Sequence, residues 1–250
     1  MKEQRYFYHP APLDCELPSD EASHATRVLR LQAGDEICLM DGCGTFYEAV
    51  ITQAGNHHCR YDIISTLPQQ PAWRGQIHLA VAPTKNVDRM EWLAEKATEI
   101  GMDRLTLLDC RFSERRALKT DRLERIIISA MKQSHKAWKP TLEDMQPFAS
   151  FIKRSDLPAQ RFIAHCYDQA DIDSTAAPDA AAAKPHLHSL LQAGTYADCL
   201  VLVGPEGDFS IDEVHAAQQH GFRSISLGTS RLRTETAALV AVHLMRLAAE

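Results

Sequence analysis

Val201-Leu202-Val203-Gly204-Pro205-Glu206-Gly207-Asp208-Phe209-Ser210-Ile211-Asp212-Glu213 reads in succession as a buried strand, a glycine-bounded turn and the start of a helix. The run 201–203 is short and wholly apolar, as a strand covered on both faces requires. Gly204 and Gly207 let backbone approach a ligand closely, and Pro205 stiffens the connection. Ser210, with Glu213 three residues on, forms a capping box that fixes where the helix begins. In a parallel sheet ligands bind beyond the carboxyl ends of strands, so this turn stands where a site would be. Taken alone, it reads slightly better as a tight turn with no ligand.

The same alternation extends outward. Residues 77–82 form a short apolar strand followed by a Pro-Thr-Lys-Asn turn. A helix then starts at an Asn86 cap, places Val87, Met90, Leu93, Ala94, Ala97 and Ile100 on one face, and stops at Gly101. Strand 105–108, a basic connection, and a helix from Asp121 with Leu123, Ile126, Ile127, Ala130 and Met131 inward come next. Strands 162–165, 199–203 and 224–227 bring the total to five. Strands interleaved with helices predict an α/β fold whose mainly parallel sheet is covered on both faces.

Ahead of it, 36–40, 46–51 and 60–64 are strand-like, and Asp41-Gly42-Cys43-Gly44 between the first two is a hairpin signal. Residues 1–70 are therefore expected to form a small antiparallel β domain, closed off by the 68–71 Pro-Gln-Gln-Pro stretch, with 71–250 as the second domain. Within the latter, 171–188 is rich in Ala, Asp and Pro without an apolar period and reads as a mobile surface insertion. Its His186 and His188 have no third ligand in view, so no metal is expected.

The 250 residues, 45% of them hydrophobic, suffice for two unequal domains with a substantial core. Net charge is −6, which at face value argues against a nucleic-acid partner. The average hides an asymmetry. Residues 1–70 carry five Lys or Arg against ten Asp or Glu, whereas 111–140 carry nine basic residues against three acidic. A local basic surface within an acidic protein is thus available, a solvated helix face being the equal alternative. Seven scattered cysteines without a C-x-x-C pair predict reduced, mostly buried thiols. No apolar run is long enough to span a bilayer and the N-terminus lacks a signal-peptide core, so a cytoplasmic protein is expected.

A second turn changes the weight of the first. Strand 224–227 ends in Gly228-Thr229-Ser230-Arg231-Leu232-Arg233-Thr234-Glu235-Thr236, followed by an apolar helix over 237–248. Two neighbouring sheet-end loops, one offering glycine backbone and the other Arg233 with Glu235, make a cleft. Neither matches the dinucleotide fingerprint G-x-G-x-x-G, and the P-loop pattern is absent.

The chain resembles the RsmE family of 16S ribosomal RNA methyltransferases, of the SPOUT class, over nearly its whole length. The resemblance rests on His24-Ala25-Thr26-Arg27-Val28-Leu29-Arg30-Leu31, Gly34-Asp35, Asp41-Gly42-Cys43-Gly44, Lys96-Ala97-Thr98-Glu99-Ile100-Gly101 and Ser113-Glu114-Arg115. Its most specific parts are Gly204-Pro205-Glu206-Gly207 and the run from Leu227-Gly228 through Leu232-Arg233-Thr234-Glu235-Thr236-Ala237. It implies a PUA-like N-terminal β-barrel that binds RNA, a C-terminal α/β domain tied into a trefoil knot, a homodimer, and methylation of uridine N3 near the 3′ end of 16S rRNA within the small ribosomal subunit. The chain departs from the family pattern at Lys132-Gln133-Ser134-His135-Lys136, where Glu-Gln-Ser/Cys-Gly-Arg is common, and at Gly207-Asp208, where Gly-Gly is common.

The cofactor implied is S-adenosylmethionine. The expected cofactor-binding residues are Val203, Gly204, Pro205, Glu206, Gly207, Leu227, Gly228, Leu232, Thr236, Ala237 and His165. Arg233 is expected to stabilise a developing uridine anion with Glu235 orienting it, a helix-start salt bridge between the two being the bland alternative. Arg27, Arg30, Arg111, Arg115, Lys132 and Lys136 are the expected phosphate contacts. The competing readings are a methyltransferase of another RNA site (a ribose 2′-hydroxyl or a tRNA guanine), a non-catalytic RNA-binding assembly factor, and an unrelated nucleotide-dependent enzyme.

Overall fold

Two ladders of backbone hydrogen bonds organise the computed structural model, which describes residues 4–55, 57–168, 184–193 and 198–250. The chain divides into two compact units, Met1–Ala72 with Ile128–Lys139, and Trp73–Ile127 with Pro140–Glu250. A boundary near residue 70 leaves out the Ile128–Lys139 excursion.

The first unit holds a four-stranded sheet in the order β1 (Tyr6–Tyr8), β2 (Glu36–Met40), β3 (Thr45–Ala54), β4 (Cys59–Pro68). β2, β3 and β4 are antiparallel as the hairpin signal predicts, but β1 runs parallel to β2. Its core gathers Phe7, Leu17, Ala25, Ile37, Leu39, Ile51 and Tyr61, with the Tyr61 hydroxyl donating to the Pro12 carbonyl at 2.7 Å. Between β1 and β2 lie the short helix α1 (Ser19–Ser23) and a π-helical turn, His24–Val28. Gly44 has φ +104, and a Cβ there would sit 2.3 Å from the Trp138 ring; both facts demand glycine.

The second unit is built on six parallel strands in the order β10-β8-β9-β5-β6-β7. They are β5 (Ile77–Val81), β6 (Arg104–Asp109), β7 (Thr141–Pro147), β8 (Gln160–Ala164), β9 (Cys199–Val203) and β10 (Arg223–Ile225). β5 and β9 are buried throughout, and their side chains alternate between two cores. Ile77, Leu79, Val81, Cys199, Val201 and Val203 join one core, and Ala80, Leu200 and Leu202 the other. Helices α2 (Val87–Ile100), α5 (Leu187–Gln192) and α7 (Thr234–Ala249) cover the first face. Helices α4 (Phe148–Phe151) and α6 (Ile211–Gln219) cover the second. Helix α3 (Asp121–Gln133) begins in this unit and ends in the other.

Local signals act as read. Asn86 Oδ1 accepts the Asp88 N–H at 3.0 Å, and Gly101 ends α2 at φ +126. Both halves of the Ser210/Glu213 capping box are formed. Three expectations need correction. The parallel sheet has a sixth strand, β7, beyond the five expected: its Thr-Leu-Glu-Asp-Met-Gln-Pro is polar because it lies at the sheet edge. Helix α7 starts at Thr234 rather than 237, which draws Thr234 and Glu235 into its buried first turn. Of the stretch read as an insertion, 171–183 lie outside the described residues, and 184–188 lead into α5, with the His186 ring capping the His188 N–H. Of the seven free cysteines, Cys38, Cys59, Cys110 and Cys199 are buried, Cys15 is half-buried, and Cys43 and Cys166 are exposed. No helix among the described residues is long and apolar enough to cross a membrane.

Both departures from the family pattern fall at backbone positions that favour glycine. His135 has φ +52 and Asp208 φ +66, a conformation that costs a non-glycine residue about 1–2 kcal/mol. Each side chain finds compensation nearby. The His135 ring stacks on Tyr6 with centroids 4.3 Å apart. The Asp208 carboxylate accepts the Cys166 and Phe209 N–H groups, both at 2.7 Å.

Candidate functional site

The strands of the second unit share one direction, so their carboxyl ends gather the connections that follow β5, β6, β8, β9 and β10. Side chains lace three of these together. Glu206 Oε1 accepts the Lys85 N–H at 2.9 Å, Glu213 Oε1 accepts the Arg111 N–H at 2.8 Å, and Arg115 donates to the Lys85 carbonyl at 2.8 Å. Glu213 thus caps its own helix with one oxygen and ties down the β6 connection with the other.

A cleft of about 810 Å³ opens at this end of the sheet. One wall is Val203, Gly204, Pro205 and Glu206; the opposite wall is Leu227, Gly228, Leu232 and Arg233. Ala164 and Ile225 close its floor. Gly204 is confined, since a Cβ would lie 3.0 Å from the Phe209 nitrogen. Gly228 is the reverse case: it has φ +128 and nothing within 4 Å of where a Cβ would be. There glycine is demanded by backbone conformation and leaves its side of the wall open.

Buried His165 and half-buried Lys184 form a polar corner of this cleft. The Lys184 ammonium donates to the His165 carbonyl and to Nδ1 at 3.3 Å, so the ring proton sits on Nε2, facing Ser224 Oγ at 2.9 Å. Burial, reinforced by Lys184, pushes the imidazole down to about 4, and burial also lowers the ammonium. At neutral pH the histidine is an uncharged hydrogen-bonding group. Burial and then Asp208 raise the neighbouring Cys166 thiol, which stays protonated.

Nine of the eleven expected cofactor residues border the cleft: Val203, Gly204, Pro205, Glu206, Leu227, Gly228, Leu232, Ala237 and His165. Gly207 instead abuts Phe112, and Thr236 lies within α7 outside the lining. Arg233 borders the cleft at the cap of α7. The pairing expected for it is replaced: Glu235, 7% exposed, faces Arg89 at 3.6 Å, and its other oxygen has no hydrogen-bond partner among the described residues. Arg89, Lys184 and Asp208 also line the cleft, beyond the residues expected. Arg89 carried a usable signal, lying one turn into the helix that follows a sheet-end connection; the other two are tied in only by the fold.

Of the basic residues singled out, Arg27 and Arg30 are exposed in the first unit, with Arg27 donating to His57 at 2.8 Å. Lys132 is engaged by Glu21 at 2.5 Å, its side chain 22% exposed. Lys136 is half-buried. In the second unit Arg111 is exposed and pairs with Asp212 at 2.9 Å, whereas Arg115 is half-buried and serves the Lys85 carbonyl.

A family model described as an RNA methyltransferase domain matches residues 71–246, and one described as an RNA methyltransferase PUA domain matches 17–64. The chain belongs to the RNA methyltransferase family. The resemblance to the RsmE type, read from its motifs, is borne out. A probable rRNA-methyltransferase from Porphyromonas gingivalis is 42% identical, with 98% of each chain covered and a TM-score of 0.83. A methyltransferase from Legionella pneumophila, solved in complex with the bound cofactor SAM, is 26% identical over 98% of each chain, also with a TM-score of 0.83. The ribosomal RNA small subunit methyltransferase E of Rickettsia conorii is 28% identical over 234 residues, 93% of this chain and 89% of its own length. The mixed α/β fold with a mainly parallel sheet and a small PUA-like N-terminal β domain is that of this family.

Proposed function

We propose that this protein methylates uridine N3 of 16S ribosomal RNA, near the 3′ end, using S-adenosylmethionine. The observation that carries the reading is the cleft between the 204–207 and 228–236 connections of an RNA methyltransferase domain. Its volume, about 810 Å³, suits a nucleoside-sized cofactor. So does its lining, in which apolar Val203, Leu227, Leu232 and Ala237 join backbone left open at Gly228. The domains follow the same reading: residues 1–70 bind RNA, 71–250 carry the methyl-transfer site, and the latter's C-terminal connections form the trefoil knot that the resemblance implies.

S-adenosylmethionine, when bound, supplies an electrophilic methyl group on a sulfonium centre. Backbone groups of Val203, Gly204, Leu227 and Leu232, which border the cleft, would hold its adenosine part, with Pro205 keeping the turn rigid and Gly207 contributing only to the turn's shape. Neutral His165 borders the same cleft with both ring nitrogens engaged, by Lys184 and Ser224, and so shapes its polar corner. Uridine N3 bears a proton that must leave as the new N–C bond forms, and negative charge spreads onto the flanking carbonyl oxygens. Arg233, always protonated, stabilises that charge. Glu235 is given a positioning role rather than a direct one, because it is buried and faces Arg89, which it holds at the rim of the cleft. Arg27, Arg30, Arg111 and Lys136 contact phosphates. Arg115 and Lys132 are already engaged within the protein and contribute through position.

The protein acts as a homodimer within the small ribosomal subunit. The dimer is supported by Trp92 on α2 and Leu247 on α7, 43% and 45% exposed on helices that lie against each other.

The deciding experiment is transfer of labelled methyl groups from S-adenosylmethionine to assembled small subunits and to naked 16S rRNA, with mass spectrometry of the digested product. 3-Methyluridine is expected. A 2′-O-methylated nucleoside or a methylated guanine would redirect the reading to another RNA site, and cofactor-free, inactive protein would make it a binding factor.

A further inference from the structure

The connection after β6 carries a feature the cofactor cleft does not use. Phe112 is 46% exposed, and its Cβ would be 3.2 Å from any Cβ placed on Gly207, in the turn that walls the cleft. The segment presenting it is held from several sides. The Ser113 N–H donates to the Cys110 carbonyl at 3.1 Å, the Cys110 N–H to Ser113 Oγ at 3.0 Å, and the Arg111 N–H to Glu213 at 2.8 Å. Arg116 adds a bond to the Arg111 carbonyl at 2.9 Å while pairing with Asp109 at 2.8 Å. A large, half-exposed apolar ring is thus carried on a turn held through Cys110, Arg111 and Ser113.

Charge surrounds it. The Arg111 guanidinium lies 5.9 Å from the ring centroid and pairs with Asp212 at 2.9 Å, both side chains exposed. Such pairs contribute little and exchange readily for a phosphate. Exposed Arg116 and Lys85 flank the same connections.

We propose that Phe112 is a stacking platform for an unpaired base of the RNA substrate, with Arg111 holding the adjoining phosphate, so that the target nucleotide is steered past Gly207 into the cleft. This rests on the RNA methyltransferase reading above. A ring face accepts any base, so the contact supplies affinity and placement and leaves the choice of uridine to the cleft. The absence of a side chain at Gly207 is what lets the platform lie directly against the cofactor turn.

The test compares Phe112→Leu, Phe112→Ala and Phe112→Trp with the wild-type protein. Leu and Ala are expected to lower kcat/KM for RNA methylation roughly ten- to a hundredfold, as loss of one base–aromatic stack does. Trp is expected to retain it, and S-adenosylmethionine affinity and thermal midpoint should stay unchanged in all three. The introduced tryptophan should also be quenched, beyond any change in the wild-type signal, by the same RNA that accepts methyl groups. An active wild-type protein with a Leu variant equal to it, or an introduced tryptophan that the RNA leaves unquenched, overturns the inference alone. A wild-type protein that binds cofactor but transfers nothing to RNA overturns the parent reading and this one with it.

Discussion

The two ends of the parallel sheet both carry a cavity, buried histidine and several charges, yet they are built on opposite principles. At the amino end, a cavity of about 500 Å³ is bordered by His78, Arg104, Asp156 and Asp198. Its groups satisfy one another. His78 Nε2 donates to Thr106 Oγ1 at 2.8 Å, Thr106 donates to Glu143 at 2.7 Å, and Arg154 bridges Glu143 at 2.7 Å and Asp156 at 2.6 Å. At the carboxyl end the order is looser. Among the described residues one Glu235 oxygen has no hydrogen-bond partner, Arg89 lies 3.6 Å from the other, and Arg233 and the Gly228 backbone border the cleft. Volume and ionisable groups alone do not separate a site from a structural network. What separates these two cavities is that the charges of the first are paired with one another, whereas Glu235 and Arg89 at the second are only loosely matched.

The sharpest way to break this comparison is to remove one cation from each end. Arg233→Ala should lower turnover roughly 10²- to 10³-fold, the scale of losing one preorganised charge-stabilising donor, while cofactor binding and thermal midpoint persist. Steady-state methylation kinetics and calorimetric titration with S-adenosylmethionine would measure both, and a nearly unchanged rate would remove Arg233 from the mechanism. Arg154→Ala should do the opposite. It leaves Glu143 and Asp156 to the longer pairs with Arg104, at 3.5 and 3.7 Å, and should cost about 1–2 kcal/mol, less than a fully buried pair because the Asp156 side chain is half exposed. Urea denaturation would show that loss, with kcat near normal wherever the variant is folded.

A smaller effect separates the ends by pH. Burial, with Arg104 nearby, pushes His78 down to about 3, far below the ordinary histidine value of roughly 6.5. Between those values the unfolded chain binds a proton that the folded chain refuses, so stability is retained above about pH 6.5 and lost progressively as pH falls toward 3. His78→Gln keeps a hydrogen-bonding group near Thr106 but removes the titration, and its midpoint should fall less steeply than the wild-type midpoint over that window. Some slope will remain, because His165 at the other end is lowered in the same sense, to about 4. Equal slopes for variant and wild type would show that His78 is not buried neutral.

Much of this organisation was legible before any coordinates. The Asn86 cap, the Gly101 stop, the Ser210/Glu213 box and the alternation along 77–82 and 199–203 are local rules, complete within a few residues. The elements that sequence reading misses obey no such rule. β7 is polar because it borders solvent, and α5 is a six-residue helix that starts at the end of the stretch read as an insertion, too short to show a helical period. The glycine-like backbones of His135 and Asp208 carry residues that usually avoid positive φ, and only a stacked Tyr6 or two accepted N–H groups make them tolerable.

The sequence by itself determined the strand–helix alternation, the two glycine turns and the family to which they belong, because each is written in contiguous residues. Only the tertiary structure decided that Glu235 faces Arg89 instead of Arg233, that Lys132 is taken up by Glu21, and that Phe112 stands beside Gly207. Those partners are distant in the chain. Spacing fixes which face of an element a side chain occupies, but whether it meets a charge, a backbone amide or solvent depends on which other element packs opposite it.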